Sequence, residues 1–278
     1  MLSNKYKLVE KISEGSFGQI YKGQNVRTGE FVAVKVESNT TNKTLKNEAR
    51  IYQYLCKKDG FPLLKWYETS ENQNILVIEL CGSSLLKLIE HYKVFSLKTV
   101  LRLGIQIIER IKVLHENLLI HRDIKPDNFL FGLNNNRSTN KLYLIDFGFC
   151  KRYSYDNKHI IEKNISKLIG TPNFVSLNIH NGTEPSRRDD VESCIYIIAY
   201  MLLGRLEWFD YSVGERMIIL KKLFKYKEEV PSFIKIMLHY IHDIRFDEKP
   251  DYDYLINIMK KLFTQNGYNE IDKYEWEN

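Results

Sequence analysis

Near Cys81 the apolar residues of this 278-residue chain change their period, and that change narrows the folds open to it. Ahead of Cys81, β-branched and aromatic residues alternate between turn signals. Lys7 to Ser13 and Gln19 to Gln24 flank a glycine-bearing loop, Phe31 to Val36 alternates as a strand, and Ile75 to Leu80 is another short strand. Val32, Val34 and Val36 face one way, with Phe31, Ala33 and Lys35 on the other side. One helical stretch, Asn42 to Lys57, interrupts the strands. Behind Cys81, Leu103, Ile107, Ile111 and Leu114 recur at helical spacing, an apolar stripe on a long helix ending near His115. Further helices are expected near Asp190 to Leu203, Arg216 to Lys225, Phe233 to His242 and Tyr252 to Phe263. The polar stretch Leu133 to Lys141 reads as a hairpin loop between two short strands. A strand-rich front joined to a helical back, with charged loops between, predicts an α+β chain of two lobes around a cleft.

Composition removes several alternatives. With 44% hydrophobic and 27% charged residues the chain is an ordinary globular protein with enough length for a large core. Its longest apolar run, Cys194 to Leu203, is too short to span a bilayer and reads as a buried helix. The start, Met1-Leu2-Ser3-Asn4-Lys5, has no apolar signal core, so neither membrane insertion nor secretion is expected. Cys56, Cys81, Cys150 and Cys194 form no Cys-x-x-Cys pair and fit reduced thiols of an intracellular protein. The net charge of +6, from 41 basic and 35 acidic side chains, is modest. It is either a solvated surface, a preference for acidic protein substrates, or weak contact with nucleic acid. No motif for base readout is present, so no specific nucleic acid is expected.

The chemistry concentrates between His121 and Gly148. His121-Arg122-Asp123-Ile124-Lys125-Pro126-Asp127-Asn128 supplies a carboxylate able to accept a hydroxyl proton, a lysine two residues on, and an amide oxygen three further. Asp146-Phe147-Gly148 supplies another carboxylate, at the end of the apolar strand Leu142 to Ile145. Phosphoryl transfer needs such parts: a base beside the nucleophile, positive charge on the moving phosphate and oxygen ligands for Mg²⁺. Lys35, set in an apolar strand, is either snorkelling from the strand end or working in a cleft.

This ordered set resembles the catalytic and metal-binding loops of eukaryotic protein kinases. The resemblance implies a bilobal kinase fold, an antiparallel N-lobe sheet with one main helix over residues 1–80 and a mostly helical C-lobe over 81–278. The domain itself spans about 6–268. It implies that Ile12-Ser13-Glu14-Gly15-Ser16-Phe17-Gly18-Gln19-Ile20 is the loop covering the phosphates of ATP, with Ser13 where the kinase pattern has its first glycine. Lys35 then holds the α- and β-phosphates, with Glu48 as its carboxylate partner. Ile12, Ile20, Ala33 and Ile78 contact adenine, Glu79 to Cys81 form the hinge, and Leu130 and Ile145 close the floor. Asp123 is the base, Lys125 neutralises the γ-phosphate, and Asn128 with Asp146 binds Mg²⁺. Lys125 and Thr171 resemble the serine/threonine pattern more than the tyrosine pattern.

The back half resembles one branch. Most kinases carry Ala-Pro-Glu after the activation segment; this chain has Ser176-Leu177-Asn178, His180-Asn181-Gly182 and Ser186-Arg187-Arg188-Asp189-Asp190. With Arg245-Phe246-Asp247-Glu248-Lys249-Pro250-Asp251-Tyr252, these closely resemble the casein kinase 1 family, and some details its sister branch, the vaccinia-related kinases. By that likeness Asp190 binds the catalytic-loop backbone, and the chain is a monomer acting on Ser/Thr of acidic proteins in cytoplasm or nucleus. The composition hints at a parasite or a virus, and if it is viral the compartment is a host cell's. Activity is expected without a C-terminal regulatory tail and without phosphorylation of Ser154 or Ser166. Two departures concern the family's basic site for a phosphate already on the substrate: Asn173 replaces an arginine, and an apolar residue near Ile219 replaces a lysine. Arg216, Lys221 and Lys222 are the side chains available to compensate. The rival reading, a nucleotide-binding scaffold, rests on Ser13 and this altered site.

Overall fold

A computed structural model describes residues 2, 4–15, 18–38, 44–133 and 140–277. Strands β1 (Tyr6–Gly15), β2 (Gly18–Asn25) and β3 (Phe31–Ser38) precede helix α1 (Leu45–Tyr54) and strands β4 (Leu64–Thr69) and β5 (Gln73–Glu79). Helices α2 (Leu85–Tyr92) and α3 (Leu97–Glu116) come next, then the short strands β6 (Leu119–Ile120), β7 (Phe129–Phe131) and β8 (Leu142–Leu144). Three further short strands are β9 (Lys151–Arg152), β10 (Ser154–Tyr155) and β11 (Lys158–His159). The rest is helical: α4 (Leu177–His180), α5 (Arg187–Leu203), α6 (Glu215–Phe224), α7 (Ser232–Asp243) and α8 (Tyr252–Gln265). The architecture is α+β. Two compact units form, one from Met1–Ser83 and Leu130–Gly148, the other from Ser84–Phe129 and Phe149–Asn278.

In the first unit the sheet order is β1-β2-β3-β5-β4, each pair antiparallel. Val32 and Val34 are fully buried on one face with Ile75, Val77 and Tyr6, and Val36 and Trp66 pack against them. Each buried valine contributes about 1.5 kcal/mol or more. Register places Ile20 opposite Lys35, and Ala33 opposite Ile78, so Ile20, Ala33, Lys35 and Ile78 share the other face. Strand β4 escapes the sequence pattern because a bulge between Leu64 and Trp66 breaks its alternation. Helix α1 is shorter than the expected Asn42 to Lys57. Asn42 and Lys43 lie outside the described residues, and past Tyr54 the chain turns, with Lys57 at a φ of 70°. Most of the expected loop between β7 and β8, at 134–139, is likewise outside them.

In the second unit α3 packs on α5 and α8. Helix α5 has no polar stripe because it is buried almost all round, from Val191 to Ala199 without a break. The segments 186–190 and 245–252 interlock beside it. Arg187 donates to the Asp247 carbonyl at 2.6 Å and lies over the Tyr153 ring, and Arg188 donates to the Ile244 carbonyl at 2.9 Å. Asp251 caps α8 by accepting from the Tyr254 N–H at 2.9 Å.

Candidate active site

The site residues expected from sequence fall into two groups, one in each unit. In the first unit, the buried residues of α1 are Leu45, Glu48, Ala49, Ile51 and Tyr52, so Glu48 sits within an apolar stripe and faces the sheet. The start of that helix is fixed by a second buried carboxylate. Glu37, at the end of β3, accepts from the Thr44 hydroxyl at 2.9 Å and the Leu45 N–H at 3.2 Å. Lys35 meets Glu48 at 2.8 Å and Asp146 at 3.1 Å. Burial opposes its charge, but the two carboxylates outweigh burial and hold the ammonium above the ordinary lysine range. The strand lysine is therefore the centre of a charged triad, not a snorkelling side chain.

Asp146 occupies the left-handed region with φ 64°, and its N–H donates to the buried Tyr52 hydroxyl at 3.2 Å. The next residue, Phe147, is fully buried, with its ring edge-on to Tyr52 at 4.8 Å and tilted against Phe61 at 6.1 Å. The phenylalanine thus anchors the turn, and the turn aims the aspartate at Lys35. Strands β1 and β2 pair Ser13 with Ile20, Glu14 with Gln19 and Gly15 with Gly18, and the loop residues Ser16 and Phe17 lie outside the described residues. Only glycine fits at position 18: its φ is 117°, and a Cβ there would stand 2.2 Å from the Val36 carbonyl oxygen. Ile12 is exposed, whereas Ile20, Ala33, Ile78, Cys81, Leu130 and Ile145 are half-buried. Burial pushes the Cys81 thiol up to about 12, with nearby Glu79 adding to it, so Cys81 is an unreactive wall.

In the second unit Asp123 is buried, and each of its carboxylate oxygens has a partner. Lys125 lies 3.0 Å from one oxygen, and the Thr171 hydroxyl donates to the other at 2.7 Å. Asn128, itself buried, donates its amide to the Asp123 carbonyl at 2.8 Å. The loop carrying these residues hangs from Asp190. The His121 N–H reaches one Asp190 oxygen at 2.6 Å and the Arg122 N–H the other at 2.9 Å. Arg122 has φ 70°, an uncommon conformation for a side chain that size. His115 is kept neutral by burial, donates from Nε2 to Asp190 at 3.0 Å, and accepts from the Tyr252 hydroxyl at 2.7 Å. Gly170, at φ 100°, brings the activation segment back against this loop, where a Cβ would meet the Arg122 carbonyl oxygen at 2.5 Å.

The model of the protein kinase domain family matches residues 6–268. The chain belongs to the protein kinase family. Its α+β architecture, with an antiparallel sheet in the N-terminal region, is that of the kinase fold. As a protein kinase it takes ATP as phosphate donor and proteins as substrates. No helix among the described residues is long and apolar enough to cross a membrane.

Four side chains that brace the candidate site carry no assignment from sequence: Glu37, Tyr52, His115 and Tyr252. The signal for Tyr52 was its place in the buried stripe of α1, four residues after Glu48. Tyr52→Phe removes the hydroxyl that accepts from Asp146. Loss of that buried bond should cost about 1–3 kcal/mol, lower Tm and raise the KM for ATP. A variant with unchanged KM for ATP would show that the tyrosine only fills space. Of the three side chains whose position sequence left open, Lys221 is fully buried and donates to backbone carbonyls, so its charge is not presented at the surface.

Proposed function

We propose that this protein is a serine/threonine kinase of the casein kinase 1 type, transferring the γ-phosphate of Mg·ATP to acidic protein substrates. The observation that carries the reading is the setting of Asp123: one oxygen beside Lys125, the other receiving the Thr171 hydroxyl, in a loop hung from Asp190. Asp123 orients the substrate hydroxyl and finally takes its proton; Lys125 neutralises charge on the γ-phosphate. Lys35, steadied by Glu48, holds the α- and β-phosphates. Residues 12–20, Ala33, Ile78, Glu79 to Cys81, Leu130 and Ile145 enclose the nucleotide. The amide oxygen of Asn128 and the carboxylate of Asp146 are hard oxygen donors of the kind that would hold Mg²⁺. When bound, Mg²⁺ supplies neutralising charge. The lobes are residues 1–80 and 81–278, working as one domain in a monomer within the cell, with no specific nucleic acid partner. Ser154 is buried in β10, which supports activity without phosphorylation at that position.

The altered phosphate-reading site supports indifference to priming. Asn173 and the half-exposed Ile219 carry no charge, Lys221 points inward, and Arg216 lies over the Tyr211 ring at 4.9 Å. Each lost charge-assisted contact is worth about 1.5–3 kcal/mol. The test is transfer of γ-labelled phosphate to matched acidic peptides carrying Ser, Thr or Tyr, with and without a phosphoserine nearby. Label on Ser and Thr alone is expected, with a priming gain below about tenfold. Labelled tyrosine, or a larger gain from priming, would contradict the assignment.

A further inference from the structure

Helix α6 presents three inward residues at helical spacing, Met217, Lys221 and Phe224, and the middle one is a lysine with 1% of its surface exposed. Its Nζ donates to the Val175 carbonyl at 2.6 Å and the Pro172 carbonyl at 2.8 Å, and lies 3.1 Å from Nε2 of His180. The Tyr196 and Trp208 rings stand 5.0 and 5.5 Å away. Burial draws the ammonium down to about 7, with buried Glu192 pulling the other way. Charged or neutral, the nitrogen keeps at least two N–H donors, enough for both carbonyls. Of the two carbonyls between them, that of Asn173 accepts from the Trp208 indole at 2.8 Å. The turn Thr171–Val175 is closed by N–H bonds from Phe174 and Val175 to the Thr171 carbonyl, at 2.9 and 3.1 Å. Three of its carbonyls are thus gripped from outside it, by Lys221 and Trp208, with His180 Nε2 also 3.2 Å from the Pro172 carbonyl oxygen.

The same turn begins at Thr171, whose hydroxyl rests on Asp123. A peptide presenting its hydroxyl to Asp123 must run beside this turn. An apolar residue would fill the space between Tyr196 and Trp208 without a buried amine's desolvation cost, so space-filling does not account for a lysine there. We propose that Lys221 and Trp208 are positioning residues for the Thr171–Val175 turn, setting the affinity for the peptide substrate and not for the nucleotide. This rests on the protein kinase function proposed above.

Lys221→Met keeps the bulk of the side chain and removes both donors; Trp208→Phe keeps the aromatic packing and removes one. Steady-state kinetics on the full chain would give separate KM values for an acidic serine peptide and for ATP. Peptide KM should rise about tenfold for Lys221→Met and less for Trp208→Phe, with ATP KM within about twofold of the parent. Should Lys221→Met fail to fold, Trp208→Phe decides alone. Folded variants with the parent's peptide KM, or with both KM values raised in parallel, overturn the inference. A parent that phosphorylates no peptide overturns the proposed function, and this inference with it.

Discussion

Asp123→Asn is expected to lower kcat by about two to four orders of magnitude while the KM for ATP stays within about twofold. The amide keeps the volume of the carboxylate and still offers an oxygen to the Thr171 hydroxyl, which now bonds the native side chain at 2.7 Å. What it lacks is a basic oxygen. It also turns an N–H₂ group or a neutral oxygen toward the Lys125 ammonium, which in the parent lies 3.0 Å from a carboxylate oxygen. The acceptor hydroxyl therefore loses both its proton acceptor and the fixed neighbour of that acceptor. Lys35, Glu48 and Asp146, which form their own charged group in the first unit, are untouched. Nucleotide binding measured by calorimetry should be nearly unchanged, while casein or an acidic peptide collects almost no label. A variant that phosphorylates casein at the parent's rate would remove Asp123 from the role of base.

The period of the apolar residues foretold most of the long elements. The long helix ending near His115 runs from Leu97 to Glu116, and the four later helices lie within a few residues of their expected bounds. These segments are legible because each buries one stripe, or in α5 nearly its whole surface, and burial writes itself into sequence. The two-residue strands β6, β9, β10 and β11 were not legible. Strands that short have no period, and their pairing is decided by distant chain. Asp190 is expected to bind the backbone of the loop that carries Asp123, and the N–H groups of His121 and Arg122 do bond it.

Lys221 shows the opposite limit. Read along the sequence, it is one of a run of lysines on a charged helix, next to Lys222 and near Lys225. Only its spacing from Met217 and Phe224 distinguishes it, and a lysine in an apolar stripe is ordinarily scored as a surface position. Which carbonyls it serves depends on a turn almost fifty residues upstream. The acceptors are backbone atoms, so no side-chain identity in that turn announces them. Tyr52 and Glu37 carry no assignment for a related reason: Tyr52 accepts from the Asp146 N–H and Glu37 from the Leu45 N–H as well as the Thr44 hydroxyl, and every non-proline residue carries a backbone N–H.

Asp190→Ala should be the most destabilising single change in the second unit, at about 3–5 kcal/mol. Three buried donors lose their acceptor together: the N–H groups of His121 and Arg122, and Nε2 of His115. At about 2–4 °C per kcal/mol for a chain of this size, Tm should fall by roughly 10 °C. Arg122, no longer held at φ 70°, can relax, and that relaxation displaces Asp123 next to it. The kcat should therefore fall even at temperatures where the variant is fully folded, with the KM for ATP little changed. Acidity supplies a further check. Burial alone would raise the Asp190 carboxyl, but His115, together with His121 and its backbone N–H, outweighs it and holds the group below its ordinary value of 3.8. Its folded pKa is depressed, so its stabilisation is complete above the ordinary carboxylate range and drains away as pH falls through the folded value. The gap in Tm between parent and Asp190→Ala should thus stay near its full size from neutral pH down to about 5 and shrink only in stronger acid. A gap that closes already between pH 7 and 6 would place the stabilisation on a histidine instead. A variant with the parent's Tm would mean that the catalytic loop holds its shape unaided.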